Sequence, residues 1–211
     1  MKIVAIIPIK KKSERIKGKN FKLIKNKPLF HYILEKVIKC KFDEVYVDSD
    51  SNVVKKYCKK NKIRFIERKK HLSSRNSNGN DLLNYHSRLI EADLYFQVFV
   101  TAPLLSIKTI NNCIKILKNS KLNDSILTVN KIYSWFWFNK KPVNYDPRVL
   151  PRSQDAMPII QETTGLYGIK KKALIKRKCR IGYKPIFYQI PYSESIDLDN
   201  LKDFEILKKY L

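Results

Sequence analysis

Asp197 and Asp199 stand two residues apart in the segment SIDLDN, alternating with the apolar Ile196 and Leu198. On an extended backbone this spacing turns both carboxylates to one side and both aliphatic groups to the other. Two hard oxygen ligands on one face suit Mg²⁺, which takes one or two carboxylates and completes its shell with phosphate oxygens and water. The same residues allow a plainer reading, in which Asp199 caps the helical segment that follows. Near the other end, PIKKKSERIKGKN (residues 8–20) gathers Lys10, Lys11, Lys12, Arg15, Lys17 and Lys19 around Ser13, Gly18 and Asn20. Ammonium, guanidinium and backbone N–H donors in one loop can hold a triphosphate. The alternative is a solvated charged turn. The spacing GxxxxGK[ST] is absent, so the loop is not of the P-loop kind.

Both segments need a scaffold that brings them together. Apolar strand-like runs occur at Ile3–Pro8, Glu44–Val47, Ile63–Ile66, Leu94–Val100, Ser125–Asn130, Gly165–Ile169 and Ile186–Ile190. Ile3–Ile7 and Leu94–Val100 are nearly continuous, the pattern of strands covered on both faces. Between the runs lie helical patterns: one opening at Pro28, then Val53–Lys60, Asp81–Glu91, Ile107–Lys118 and Leu201–Tyr210. Strand–helix alternation predicts an α/β fold, a three-layer α/β/α sandwich with a mostly parallel sheet. Such folds bind ligands at the carboxyl ends of their strands. Residues 131–160 break the rhythm with Trp135, Phe136, Trp137, Phe138 and four prolines, and read as a small projecting arm on one domain spanning 1–211.

The chain has 211 residues, 44% of them hydrophobic, enough for a sizeable core. No apolar run approaches the roughly 20 residues of a membrane span. The N-terminal run is short, contains Pro8 and has no cleavage site after it, so a buried strand is expected rather than a leader. Cys40, Cys58, Cys113 and Cys179 show no metal or redox spacing and read as reduced thiols of a cytoplasmic protein. His31, His71 and His86 likewise lack ligand spacing and read as satisfied surface or boundary residues. Forty-four basic residues against 19 acidic give a net charge of +25. The lysines are dispersed, which argues against a nucleic-acid tract and for a general attraction to polyanionic small molecules.

In order along the chain, PIKKKSERIKGKN is followed by KPL at 27–29, DEVYVDSDS at 43–51, TAPLL at 101–105, RSQD at 152–155, QETTGLYGI at 161–169 and SIDLDNLKDF at 195–204. This series resembles the acylneuraminate cytidylyltransferase family, which makes CMP-activated sialic and related nonulosonic acids. The resemblance covers essentially the whole chain, and GKN and SIDLD are its most specific parts.

The resemblance implies a nucleotide-diphospho-sugar transferase type of fold, a homodimer, Mg²⁺ as cofactor, and CTP with a small acidic acceptor as substrates; the aromatic cluster of the 131–160 arm is the expected pairing surface. It matches Lys19 and Asn20 to the family's phosphate-binding pair, Ser13 to its loop serine, and Asp197 and Asp199 to its metal ligands, with Lys19, Asp197 and Asp199 as the catalytic set. Arg68 matches an arginine near cytosine, and Ser77 to Gly79 the loop over base and ribose. Arg152 and Gln154 match an acceptor-side segment. Glu162 matches an acid before the family's glycine strand, and Asp50 an aspartate after the second. Departures are equally specific. Lys10 replaces the family's arginine, Lys11 and Lys12 its glycines, and Glu14 its lysine. Lysine keeps the charge but loses the bidentate fork. The family's QPTSPL is FVTAPL here, so Phe99 stands where an acceptor-site glutamine is usual. The expected activity is CMP transfer from CTP to a nonulosonic acid. A non-sugar acid or phosphonate acceptor, or a catalytically silent nucleotide- or nucleic-acid-binding protein, are the alternatives.

Overall fold

The computed structural model describes all 211 residues. β1 (Ile3–Ile9) is buried along its whole length, as a run of branched aliphatics covered on both faces must be. It is followed by the hairpin β2 (Leu23–Ile24) and β3 (Lys27–Pro28), α1 (Leu29–Val37), β4 (Glu44–Ser49), α2 (Asn52–Lys60), β5 (Arg64–Glu67), α3 (Gly79–Leu89) and β6 (Leu94–Val98). Then come α4 (Ile107–Asn119), β7 (Ser125–Ile132), the hairpin β8 (Trp137–Phe138) and β9 (Lys141–Pro142), β10 (Ile159–Lys170), α5 (Lys171–Arg177), β11 (Pro185–Gln189) and α6 (Leu201–Tyr210).

Seven strands form one sheet in the order β11-β7-β10-β6-β1-β4-β5. β1 runs parallel to β4 and β6, β4 to β5, and β7 to β11, while β10 is antiparallel to both β6 and β7. The mostly parallel sheet expected from the alternation is therefore present. Successive residues of β1 point to opposite faces. Ile3, Ala5 and Ile7 meet α1, α2 and α4 through Phe30, Val54 and Ile110. Val4 and Ile6 meet α3 and α5 through Leu83 and Leu174. A third cluster joins Ile196, Leu198 and Leu207 to Ile16, Ile24 and Leu29, and lays the C-terminal segment over the first loop.

Besides the two short hairpins, two longer elements differ from expectation. α5, KKALIKR, buries only Ala173 and Leu174 and so shows no apolar stripe in the sequence. β10 begins at Ile159 rather than Gly165, because its first half is largely exposed and lacks the apolar run used to recognise strands. No helix is long and apolar enough to cross a membrane.

Candidate active site at the carboxyl ends of the strands

The loops after β1, β5 and β6 and the N-terminus of α3 enclose a cleft of about 280 Å³. Lys10, Lys12, Ser13, Lys19 and Asn20 come to it from the first loop, Arg68 from the end of β5, Ser77 and Gly79 from the start of α3, and Phe99 from the end of β6. A second cavity of about 310 Å³ is lined by Asp197, Asp199, Glu162, Thr163 and Thr164 among others. Lys19 lines the first and Asp199 the second, and Lys19 Nζ lies 3.1 Å from Asp199 Oδ1. The two motifs singled out in the sequence therefore meet at the boundary between the cavities.

Local chemistry shapes the first loop. Gly18 takes the left-handed conformation (φ 63°) that glycine adopts without strain, and a 3₁₀ turn over Lys19–Phe21 follows. Asn20 Nδ2 donates to Lys10 O at 2.9 Å and closes the loop on itself. The Lys11 N–H donates to Asp50 Oδ1 at 2.6 Å, so Asp50 anchors the loop from β4. Lys19 is mostly enclosed, whereas Arg15, 2.8 Å from Asp199 Oδ2, is exposed.

The alternation around the aspartates has its expected consequence: Ile196 and Leu198 are buried in the core, and Asp197 and Asp199 face the second cavity. The Leu198 N–H donates to Thr101 O at 2.7 Å and ties the segment to the end of β6. Helix capping does not occupy Asp199. Asn200 is the N-cap of α6, accepting from the N–H groups of Lys202 and Asp203, and the Asp203 carboxylate in turn accepts from the N–H groups of Asn200 and Asp199. Burial raises the Asp197 carboxyl above its ordinary value, beside the hydroxyls of Thr101 and Thr164. Burial also pushes Asp199 upward, but Lys19 and Arg15 outweigh it and hold that carboxyl below its ordinary value. Asp197 Oδ1 is buried without a hydrogen-bond partner, an arrangement that is costly unless a cation supplies the missing contact.

Behind the first cleft lies a charged cluster that the sequence does not announce. Asp48 is fully buried in β4, with Arg68 Nε at 2.8 Å from one carboxylate oxygen and His86 Nε2 at 2.7 Å from the other. Arg68 Nη2 also donates to Asp48 O at 3.2 Å. His86 is thus a core residue rather than a surface or boundary one, because α3 presents it inward to the carboxylate. Burial opposes the Asp48 charge, yet His86 and Arg68 prevail and hold its carboxyl below the ordinary range.

Over residues 4–208 the sequence matches the family described as Cytidylyltransferase. The chain belongs to the cytidylyltransferase family. It is 24% identical over 207 residues to the N-acylneuraminate cytidylyltransferase A of Danio rerio, covering 93% of this chain and 48% of that one. It is 23% identical over 216 residues to the Helicobacter pylori protein named pseudaminic acid cytidylyltransferase and UDP-2,4-diacetamido-2,4,6-trideoxy-beta-L-altropyranose hydrolase, covering 98% of this chain and 42% of that one. The chain thus spans about half the length of these relatives. Its fold is that of a CMP:2-keto-3-deoxy-manno-octonic acid synthetase solved with CTP (TM-score 0.74, 16% identity, 100% and 98% of the two chains covered). It is also that of the 4-diphosphocytidyl-2C-methyl-D-erythritol synthase of Anaerococcus prevotii (TM-score 0.70, 15% identity, 99% and 95% covered).

In this cytidylyltransferase-family chain the remaining sequence candidates separate into two groups. Ser77, Gly79 and Phe99 line the first cleft. Arg152 and Gln154 reach neither cavity. They lie at an exposed 3₁₀ turn within residues 131–160, where the Arg152 guanidinium pairs with Asp155 at 2.7 Å. Thr164, which sequence reading passed over, is on the cavity wall with a left-handed backbone (φ 51°), uncommon for a β-branched residue. It sits where β10 shifts register between Glu162 and Tyr167, and such bulges re-aim side chains beside sites. The threonines in QETTGLYG carry no local signal of this, since threonine favours regular strands.

Proposed function

We propose that this chain transfers CMP from CTP to a small acidic acceptor, a nonulosonic acid, and releases pyrophosphate in the cytoplasm. The observation that carries the reading is the meeting of a lysine-lined cleft with a carboxylate-lined cavity at Lys19 and Asp199. The names of the relatives in Danio rerio and Helicobacter pylori support the acceptor class. The triphosphate lies over Lys10, Lys12, Lys19 and Asn20, and the base reaches toward Arg68, Ser77 and Gly79. An acceptor oxygen in the second cavity attacks the α-phosphorus in line. A new O–P bond forms as the bond to the bridging oxygen breaks. Positioning and charge neutralisation are the main contributions asked of the protein.

Asp197 and Asp199 fit a magnesium ion, as the unpartnered buried oxygen of Asp197 and the uncapped carboxylate of Asp199 indicate. When bound, the ion neutralises charge on the triphosphate oxygens. Phe99, matched by resemblance to an acceptor-site position, stands on the wall of the first cleft with the nucleotide and lines no part of the second cavity, where the acceptor is placed. Pyrophosphate release with Mg²⁺ and N-acetylneuraminate, 2-keto-3-deoxy-manno-octonic acid or pseudaminic acid tests the reading, with CTP expected to outperform ATP and GTP. Equal turnover of ATP would remove the cytidine assignment.

Lys19→Met should lower kcat/KM by about 10- to 150-fold, the worth of a charge-assisted contact of roughly 1.5–3 kcal/mol. A loss under about threefold would make Lys19 a bystander.

The arm carries exposed Trp137 and Phe138, with Tyr145 packed between Trp135 and Trp137 at centroid distances of 6.0 and 6.2 Å. Exposed aromatic groups on one projecting segment favour association. We assign this face to pairing with a second copy. Light scattering should return a dimer, and Trp137→Asp a monomer. A wild-type monomer at working concentration contradicts the assignment.

A further inference from the structure

Gly79 is unexplained by its own backbone. It opens α3 with an unexceptional φ, Gly18 being the one glycine in the left-handed region. Glycine is a poorer helix former than alanine, so something else excludes a side chain there. The structure supplies the cause: a Cβ at position 79 would lie 2.6 Å from Nη1 of Arg180 and 3.5 Å from Oε1 of Gln97.

Arg180 is held in that place by packing. Its guanidinium stacks on the Tyr167 ring at 3.7 Å and lies 5.6 Å from the centre of the Phe99 ring. Planar stacking on aromatic faces is an arginine property that lysine lacks. The Arg180 N–H donates to Asn80 Oδ1 at 2.9 Å, and Asn84 Nδ2 donates to Lys178 O at 2.7 Å, so the α5–β11 loop is tied twice to α3. From the other side, buried Gln97 donates to Gly79 O at 2.8 Å. Gly79 is thereby fixed from both sides, one residue beyond Asn78 on the wall of the first cleft.

We propose that Arg180 is a positioning residue for CTP, its guanidinium serving as a planar spacer between Tyr167 and Gly79 that sets the place of the Ser77–Gly79 wall. The proposal rests on the nucleotide reading above. The same stack extends toward the second cavity, since the Tyr167 hydroxyl donates to Glu162 at 2.7 Å and Glu162 lines that cavity.

Calorimetric titration of CTP with Mg²⁺ into the full chain gives the test. Gly79→Ala should weaken CTP about fivefold, and Arg180→Ala by a similar factor, a coupling typical of residues in contact. The double variant should be no weaker than either single one, because the added methyl then displaces nothing. Independent roles would multiply to about 25-fold. Arg180→Lys keeps the charge without the plane and should bind CTP as poorly as Arg180→Ala. Thermal midpoints accompany each titration and show that each variant is folded when CTP is added. Wild-type CTP affinity in Gly79→Ala, multiplicative losses, or full recovery with Arg180→Lys each overturn the proposal. A wild-type chain that binds no CTP overturns the nucleotide reading itself, and this inference with it.

Discussion

Asp197→Asn and Asp199→Ala should each cut CTP-dependent pyrophosphate release by roughly a thousandfold, about 4 kcal/mol of lost charge stabilisation at a metal-assisted step. Their effects on stability should differ from their effects on turnover. Asp197 carries a buried oxygen without a partner, so the neutral amide removes a desolvated charge and the thermal midpoint should hold or rise. Asp199 pairs with Lys19 and with exposed Arg15, and losing a half-exposed pair moves stability little. The neighbouring Ile196 and Leu198 hold the segment in the core of either variant. Turnover lost while the midpoint is kept is the signature of a site that sacrifices stability for function. Near-normal turnover in either variant would falsify the assignment of the metal site.

The second large effect falls on the fold. Asp48→Asn should destabilise the protein by about 3–5 kcal/mol, the usual result of removing one partner of a buried ion pair. At roughly 2–4 °C per kcal/mol for a chain of this size, the thermal midpoint should drop by about 6–20 °C. The cause is Arg68, whose side chain is 3% exposed and whose counter-charge is Asp48. Asp48→Asn combined with Arg68→Met removes both charges and should recover part of the loss, because the two residues are coupled. The depressed Asp48 carboxyl also sets a pH dependence. Its stabilisation is fully present above the unfolded aspartate value of about 3.9 and is lost as pH falls through the lower folded value. Acid unfolding of the wild type should therefore lose this contribution below about pH 4, and the Asn variant should lack it. A midpoint within 2 °C of wild type, under about 1 kcal/mol, would show that the cluster does not hold Arg68.

The sequence alone determined those features of this protein whose cause is local. Ile196, Asp197, Leu198 and Asp199 alternate with period two, and that alternation by itself puts aliphatic groups in the core and carboxylates in the cavity. The unbroken aliphatics of β1 declared a strand buried on both faces, and strand–helix alternation declared the parallel sheet with its ligand end. The density of cations after β1 marked the loop that lines the first cleft.

Tertiary structure decided which groups face one another. Lys19 and Asp199 are 180 residues apart and meet because the C-terminal segment folds back over the first loop. His86 reads as one more polar residue of an amphipathic helix until α3 packs it against Asp48 of β4. Arg152, matched to the acceptor side by resemblance, lies at an exposed turn outside both cavities, and Arg180 takes a place beside Gly79 that no local pattern foretold. Periodicity records which face of an element is buried. It does not record the partner, since that depends on strand order and on where each loop crosses the sheet.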